Sequence, residues 1–308
     1  MISNEDEIKK LGSCWFTLLV CAVTGVLLLV AVKRAAGARN ERALVRRLLE
    51  RGGLVVVTGA SSGIGRAFCA YFARCGLRVL AVARRAAELE TLRAEAAGHA
   101  ELEVLALDLS TEAGVDTLFG ALEGREVAAF VHSAGFCHSA RQFVRLPEEE
   151  VARILQLNVV ATTHVFRGAA RLFRRQRHGL FVMMSSGSSF GGAALLSVYA
   201  ATKAFANALV QSLNAECRAF GAHFAALCPL WVDTAMTKQF QSSIVFLVPD
   251  AFVREAVRSG LQTRELINPN LWHRLALLVR ALVPAFVRRR AALAAIAHYD
   301  HDGVEEMQ

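Results

Sequence analysis

The amino-acid sequence predicts an α/β protein: a doubly wound parallel sheet of about seven strands with helices on both faces, behind an N-terminal transmembrane helix. Three observations carry this. Short, continuously apolar runs alternate with longer helical stretches from residue 54 to about residue 229. Continuous rather than alternating runs require a sheet covered on both faces. The first run also ends in a glycine-rich turn that opens a helix, and an uncharged stretch of bilayer length stands near the N-terminus.

That stretch is Cys14 to Val32, "CWFTLLVCAVTGVLLLVAV". A helix crosses a bilayer with about 20 residues. A cleaved signal peptide is the rival reading, and a buried soluble helix the bland one. The leading Glu5, Asp6 and Glu7, the length of the run and the Lys33-Arg34 that follows argue against a signal peptide. Lys9 and Lys10 precede the run; Lys33, Arg34, Arg39, Arg42, Arg46, Arg47 and Arg51 follow it. The more basic side faces the cytosol, which puts the bulk of the chain there. Residues 1–32 are therefore expected to be a tail and anchor. Residues 33–52 read as a basic amphipathic connector, at the membrane surface or in solvent, with Leu44, Val45, Leu48 and Leu49 on one side.

The strands follow in order. "LVVVTG" (54–59) is the first, with a helix from about Gly63 to Gly76. "LRVLAVA" (77–83) is the second, and "ELEVLALDL" (101–109) contains the third. "EVAAFVHSAG" (126–135), "GLFVMMSS" (179–186) and "AHFAALCP" (222–229) are the next three. Helices between successive strands imply right-handed parallel crossovers, the Rossmann-like arrangement, whose site lies beyond the carboxyl ends of the strands. The domain is expected over 53–268, including an apolar lid at about 235–262. Residues 269–308 form a C-terminal tail in which "LWHRLALLVRALVPAFVRRR" (271–290) reads as an apolar-basic helix, at the membrane interface or packed on the sheet or a second subunit.

Composition narrows the function. Over 308 residues, 54% are hydrophobic and 20% charged, which excludes a disordered chain. The net charge of +8 is scattered, with no basic stripe interleaved with aromatics, so nucleic acid is not expected as a partner. The seven cysteines lack CxxC spacing and fit buried thiols in a reducing compartment, and no metal site is expected.

The first strand ends in "TGASSGIG". Gly59, Gly63 and Gly65, with Ser61, Ser62 and Ile64 between them, permit close approach of a pyrophosphate to a helix N-terminus, where free N–H groups favour anions. The second strand ends in Arg84-Arg85, where a carboxylate would receive the ribose hydroxyls of NAD and an arginine can pair with the 2′-phosphate of NADP. No Asp or Glu stands there, so NADP(H) is the expected cofactor, with Arg84 the first partner and Arg85 the second; solvated arginines opening a helix are the alternative. Asp108 and Leu109 end the third strand, and the carboxylate either receives the adenine amino group or caps the next helix. Tyr199 and Lys203 stand one helical turn apart, so they share a face. Alone, that is a surface pair or a phenol whose acidity a cation adjusts. Ser186 and Asn158 complete the candidates.

The chain from about 54 to 236 resembles the short-chain dehydrogenase/reductase (SDR) family through "TGASSGIG", a "SAG" after strand four (Ser133, Ala134, Gly135), Asn158, Ser186 and Tyr199-x3-Lys203. The resemblance implies hydride transfer between a nicotinamide and a carbonyl or alcohol carbon. Tyr199 would protonate the carbonyl oxygen, with Lys203 drawing its pKa down and bonding the nicotinamide ribose. Ser186 would donate to the oxyanion, and Asn158 would hold a water linking Lys203 to solvent. Pro229, Val232 and Thr234 would complete the cofactor contacts. Two departures stand out. The family's two asparagines after strand four are here His132 and Ser133; His132 with His138 suggests a metal pair, but no third ligand completes it. The family's Pro-Gly after strand six is Pro229-Leu230, which leaves the local backbone path open.

Residues 183–236 look like the branch of very-long-chain 3-oxoacyl-CoA reductases and 17-beta-hydroxysteroid dehydrogenases. What that implies is a single-pass endoplasmic reticulum enzyme facing the cytosol, acting on an acyl-CoA or steroid, in a family often dimeric or tetrameric, so that a homo-oligomer is an expected form. Reduction of 3-oxoacyl-CoA in fatty-acid elongation is the leading expectation. Hydroxysteroid, retinoid or 3-ketosphinganine oxidoreduction, and an inactive membrane scaffold, are the alternatives.

Overall fold

The computed structural model describes residues 32–33, 35–237, 247–283, 287 and 290. The expected membrane span (14–32) lies outside them but for its last residue, Val32. Among the described residues, no helix is long and apolar enough to cross a membrane.

Seven parallel strands form one sheet in the order β3-β2-β1-β4-β5-β6-β7. They are β1 (Leu54–Thr58), β2 (Arg78–Ala83), β3 (Leu102–Ala106), β4 (Val127–His132), β5 (Gly179–Met184), β6 (Ala222–Leu227) and β7 (Leu266–Ile267). Six fall inside the expected runs. The seventh has only two residues, too short for any periodic signal. β1, β4 and β5 are buried along their whole length, as continuous apolar strands between two helical layers must be.

The helices are α1 (35–50), α2 (Gly63–Arg74), α3 (Ala86–Glu95), α4 (Glu112–Ala121), α5 (Glu148–Leu155), α6 (Thr162–Gln176), α7 (Ser197–Cys217), α8 (Pro249–Arg258) and α9 (Leu271–Leu282). One face of the sheet carries Phe68 and Phe72 of α2 and Phe252 of α8. The other carries Phe166 and Phe173 of α6 and Val210 of α7. On that second face Phe130, Phe166 and Phe224 close around Phe181, with ring centroids 5.4, 4.5 and 5.3 Å away. Each such buried ring contributes about 1.5–3 kcal/mol from burial.

The connector expected at 33–52 is a helix packed on the domain. Leu44 and Leu48 of α1 are buried in the first core. Glu41 accepts hydrogen bonds from Tyr71 of α2 and Arg258 of α8, each at 2.7 Å. α1 therefore joins the helix that opens the glycine turn to the helix that follows residues 238–246.

Strand order reverses between β1 and β4, so their carboxyl ends diverge and leave a crevice.

Candidate active site

The crevice is an open cleft of about 330 Å³. Its floor is the β1–α2 turn. Gly59 and Gly63 hold φ of +68° and +56°, which other residues resist. A Cβ at Gly65 would stand 2.3 Å from the Gly59 carbonyl oxygen, and one at Gly59 2.7 Å from the Ala134 nitrogen. The turn is thus stripped to backbone. Ser62 leads into α2 without a capping side-chain bond, and no acidic residue occupies the first turn. The helix N–H groups and the positive end of its dipole face the cleft unneutralised, which suits an anion.

At the end of β2 the two arginines diverge. Arg85 reaches the glycine turn, donating to Ser61 Oγ at 3.0 and 3.3 Å, and pairs with Glu88 at 3.2 Å. Arg84 turns to Asp108 at 3.7 Å. Asp108 Oδ1 accepts from Ser110 N–H and Oγ at 2.9 and 2.7 Å. Partial burial opposes ionisation there, but these bonds and the Arg84 charge hold the carboxyl below its ordinary range. Thr111, not Asp108, caps α4, accepting from Gly114 N–H.

The other wall is built from side chains. Ser186 follows β5. Its Oγ accepts from Ser188 N–H at 3.2 Å and Ser188 Oγ at 3.0 Å, so its own proton remains to donate. Tyr199 lies on α7. Burial pushes its phenol pKa up, the Cys137 thiol adds to this, and a hydrogen bond with Ser186 opposes it. Lys203 is buried one turn on; its Nζ donates to the Met184 carbonyl at 2.9 Å and stands 5.6 Å from the Tyr199 ring centroid. Burial brings the Lys203 pKa down to about 8. Burial dominates the phenol here and the ammonium is turned to a carbonyl; the expected lowering of the Tyr199 pKa rests on Lys203 together with the oxidised nicotinamide.

Asn158 sits behind the cleft in a π-helical turn, Gln156–Ala161, between α5 and α6. A π-turn re-aims the side chains it carries and often marks a functional site. Asn158 bonds Phe136 through both amide atoms at 2.8 Å and Thr202 Oγ1 at 3.1 Å. A Cβ on Gly135 would meet Lys203 Nζ at 3.3 Å and Asn158 Oδ1 at 3.4 Å. That glycine is where the two converge.

Ser61, Ser62, Ile64, Leu109, Ser133, Ala134, Pro229, Val232 and Thr234 all line the cleft; Gly65 and Asn158 stand just behind its surface. Leu230, which stands where the family's glycine is expected, packs over Gly187: a Cβ there would meet Leu230 Cδ2 at 2.5 Å. Thr234 still overlies the turn: its Cγ2 is 3.0 Å from a Cβ placed on Gly63. Ala235, Met236 and Thr237 line the cleft from the start of the expected lid; sequence reasoning did not name Ala83, Leu107, Leu157, Met184, Ser185 or Leu230 as site residues. Only their neighbours in sequence pointed to them. His132 and His138 form no metal centre: among the described residues no group of three ligand side chains exists, and His132 is engaged by Thr58 and Thr162.

Comparisons with known proteins agree with this geometry. The chain is 30% identical over 250 residues to a very-long-chain 3-oxoacyl-CoA reductase-like protein of Arabidopsis thaliana, covering 78% of this chain and 80% of that one. It is 27% identical over 253 residues to the very-long-chain 3-oxoacyl-CoA reductase of Anas platyrhynchos, covering 80% of each. Among solved structures, a short-chain dehydrogenase from Sphingobium yanoikuyae in complex with NADPH superimposes with a TM-score of 0.67 at 28% identity, over 74% of this chain and 94% of that one. Residues 53–244 match the short chain dehydrogenase family model, and the chain belongs to that family.

Proposed function

We propose that the chain is a membrane-anchored, NADPH-dependent carbonyl reductase that reduces 3-oxoacyl-CoA. The observation that carries this is the convergence of Ser186, Tyr199 and Lys203 on a cleft whose opposite floor is bare glycine backbone at a helix N-terminus. Relatives named very-long-chain 3-oxoacyl-CoA reductase supply the substrate class.

The cleft fits a dinucleotide phosphate: the glycine turn leaves room for a pyrophosphate, and Arg85 with Ser61 offers donors for a 2′-phosphate. Bound NADPH would supply a hydride to the carbonyl carbon. The chain's own residues deliver the rest. Tyr199 gives its proton to the carbonyl oxygen; burial keeps that phenol protonated, which suits reduction. Ser186, whose hydroxyl proton is not spent on Ser188, donates to the same oxygen as negative charge builds. Lys203 places a cation beside them, its Nζ held by the Met184 carbonyl, and Asn158 would hold a water linking it to solvent.

Membrane attachment rests on the uncharged 14–32 run and on α9. Leu271, Trp272, Leu275, Leu278, Val279 and Leu282 are all exposed, Trp272 by 67% and Leu282 by 75%, while His273 on the opposite side is buried against the domain. No Asp or Glu occurs between Glu265 and Asp300, where five arginines do: Arg274, Arg280, Arg288, Arg289 and Arg290. An apolar helix face flanked by arginine suits an anionic bilayer surface. The charge asymmetry about the 14–32 run supports a cytosolic domain, and the resemblance to the 3-oxoacyl-CoA reductase branch supports the endoplasmic reticulum. The bridge of Val232 to Leu247 brings the two ends of the stretch between them together beside the cleft, which supports a lid over the first part of 235–262; the second part is α8, packed into the core through Phe252 and Val253, and residues 238–246 lie outside the described residues.

The test is NADPH oxidation by the full chain in membranes, with long-chain 3-oxoacyl-CoA, a 17-ketosteroid and retinal in parallel. The acyl-CoA is expected to drive turnover. Preference for the steroid or retinal would move the chain to the other branch, and NADPH binding without oxidation by any of them would make it a scaffold.

A further inference from the structure

His132 ends β4, is fully buried, and takes no part in the chemistry above. Its Nδ1 lies 2.8 Å from Thr58 Oγ1 and its Nε2 3.1 Å from Thr162 Oγ1. Counting protons gives each bond a direction. Thr162 has one hydroxyl proton and gives it to the Leu157 carbonyl at 3.0 Å. Its oxygen therefore receives Nε2–H. Burial, reinforced by the Lys203 charge, holds the imidazole neutral with a pKa of about 3, so Nδ1 carries no proton and must accept. Thr58 is then the donor to Nδ1, and its oxygen accepts Ala134 N–H at 3.2 Å. One polarity runs from Ala134 through Thr58, His132 and Thr162 to Leu157, with every buried group satisfied.

The two ends are the two halves of the site. Ala134 belongs to the turn after β4 that lines the cleft beside the glycines, and Leu157 immediately precedes Asn158 in the π-turn. An imidazole presents an acceptor and a donor on opposite sides of one rigid ring, which is what this span needs.

We propose that His132 is a positioning residue: as the Nε2–H tautomer it holds the cofactor turn and the Asn158 π-turn in fixed relation across the end of β4. This rests on the cleft being an NADPH site.

The two links can be cut separately. An asparagine amide overlays Nδ1, so His132→Asn keeps Thr58 and loses Thr162. A glutamine amide reaches the Nε2 position, so His132→Gln keeps Thr162 and loses Thr58. The measurements are NADPH affinity by fluorescence without substrate, turnover at saturating NADPH, and melting temperature. His132→Gln should weaken NADPH binding about tenfold, the size of one buried hydrogen bond left unmade, while His132→Asn stays within about twofold. His132→Asn should lower turnover about tenfold, with the smaller loss in His132→Gln. Should a histidine variant fail to fold, Thr58→Val and Thr162→Val cut the same links and should split the same way. Two variants that shift melting temperature but match each other in affinity and turnover, or that both match the wild type, overturn the proposal. A wild type that binds NADPH but turns over none of the carbonyls sinks the substrate reading alone, since the affinity arm still decides. A wild type that does not bind NADPH overturns both.

Discussion

On the β1–β2 side of the cleft the floor is backbone: Gly59, and Gly65 just behind it, pack so closely on neighbouring backbone that a methyl group has nowhere to go, and Gly63 holds a positive φ. On the β5–β6 side it is side chains set by hydrogen bonds: Ser186 Oγ by Ser188 in the turn it caps, Lys203 Nζ by the Met184 carbonyl, and Asn158, just behind the surface, by Phe136. The first wall is held by steric exclusion and the second by a hydrogen-bond lattice under low dielectric. Damage should differ accordingly. Change on the glycine side costs binding and stability together, whereas change on the side-chain side costs rate with the fold intact.

Tyr199→Phe gives the largest expected effect. The phenol hydroxyl is the only atom removed, so the ring packing stays. Turnover should fall by about 10²–10⁴, the usual worth of a positioned general acid, with NADPH affinity retained. Turnover near the wild-type rate would take the proton donor away from Tyr199. Gly65→Ala tests the opposite wall. Its Cβ has only the Gly59 carbonyl to meet at 2.3 Å, and backbone gives way poorly. A loss of about 1–3 kcal/mol in unfolding free energy is expected from overpacking, measured by denaturant, with NADPH binding lost in parallel. A variant that loses turnover but keeps both would mean the two walls are not distinct in kind.

The Lys203 charge adds a pH signature. Its pKa of about 8 lies below the ordinary lysine value, so the ammonium is present below pH 8 and lost above it. The reduction rate should fall along an alkaline limb near that pH. Because the unfolded chain keeps that proton to higher pH than the native one, stability should rise from pH 8 toward the ordinary lysine value. A flat rate to pH 10 would separate Lys203 from the chemistry.

These contrasts also explain what was legible in the sequence. The glycine turn and the arginines of β2 stand out because each is a short-range pattern; the spacing of Tyr199 and Lys203 shows only a shared helix face, and their roles with Ser186 come from the resemblance to the short-chain dehydrogenase/reductase family. β7 could not, since Leu266–Ile267 joins the sheet only through pairing with β6. The docking of α1 was equally hidden, because its Leu44 and Leu48 stripe looks the same whether it meets lipid or Phe72. The packing of Leu230 over Gly187 links two distant segments. Nor does the order of the arginines follow from the sequence. Adjacent residues at a strand end point to opposite sides, and only the fold shows that Arg85 faces the glycine turn.

That order yields the finest test. Arg84 is already paired with Asp108, whose carboxylate would oppose a phosphate, while Arg85 stands against Ser61 at the lip of the anion floor. Both guanidinium groups are about half exposed, at 55% and 53%, so water competes for each charge and the effect is modest. Arg85→Ala should lower kcat/KM for NADPH about tenfold, the low end for a charged hydrogen bond, and leave kcat/KM for NADH nearly unchanged. Arg84→Ala should cost less, because it also frees Asp108 to turn away. If Arg84→Ala proves the more damaging, the 2′-phosphate lies on the β3 side of the cleft, and Ser61 is a turn residue with no part in cofactor choice.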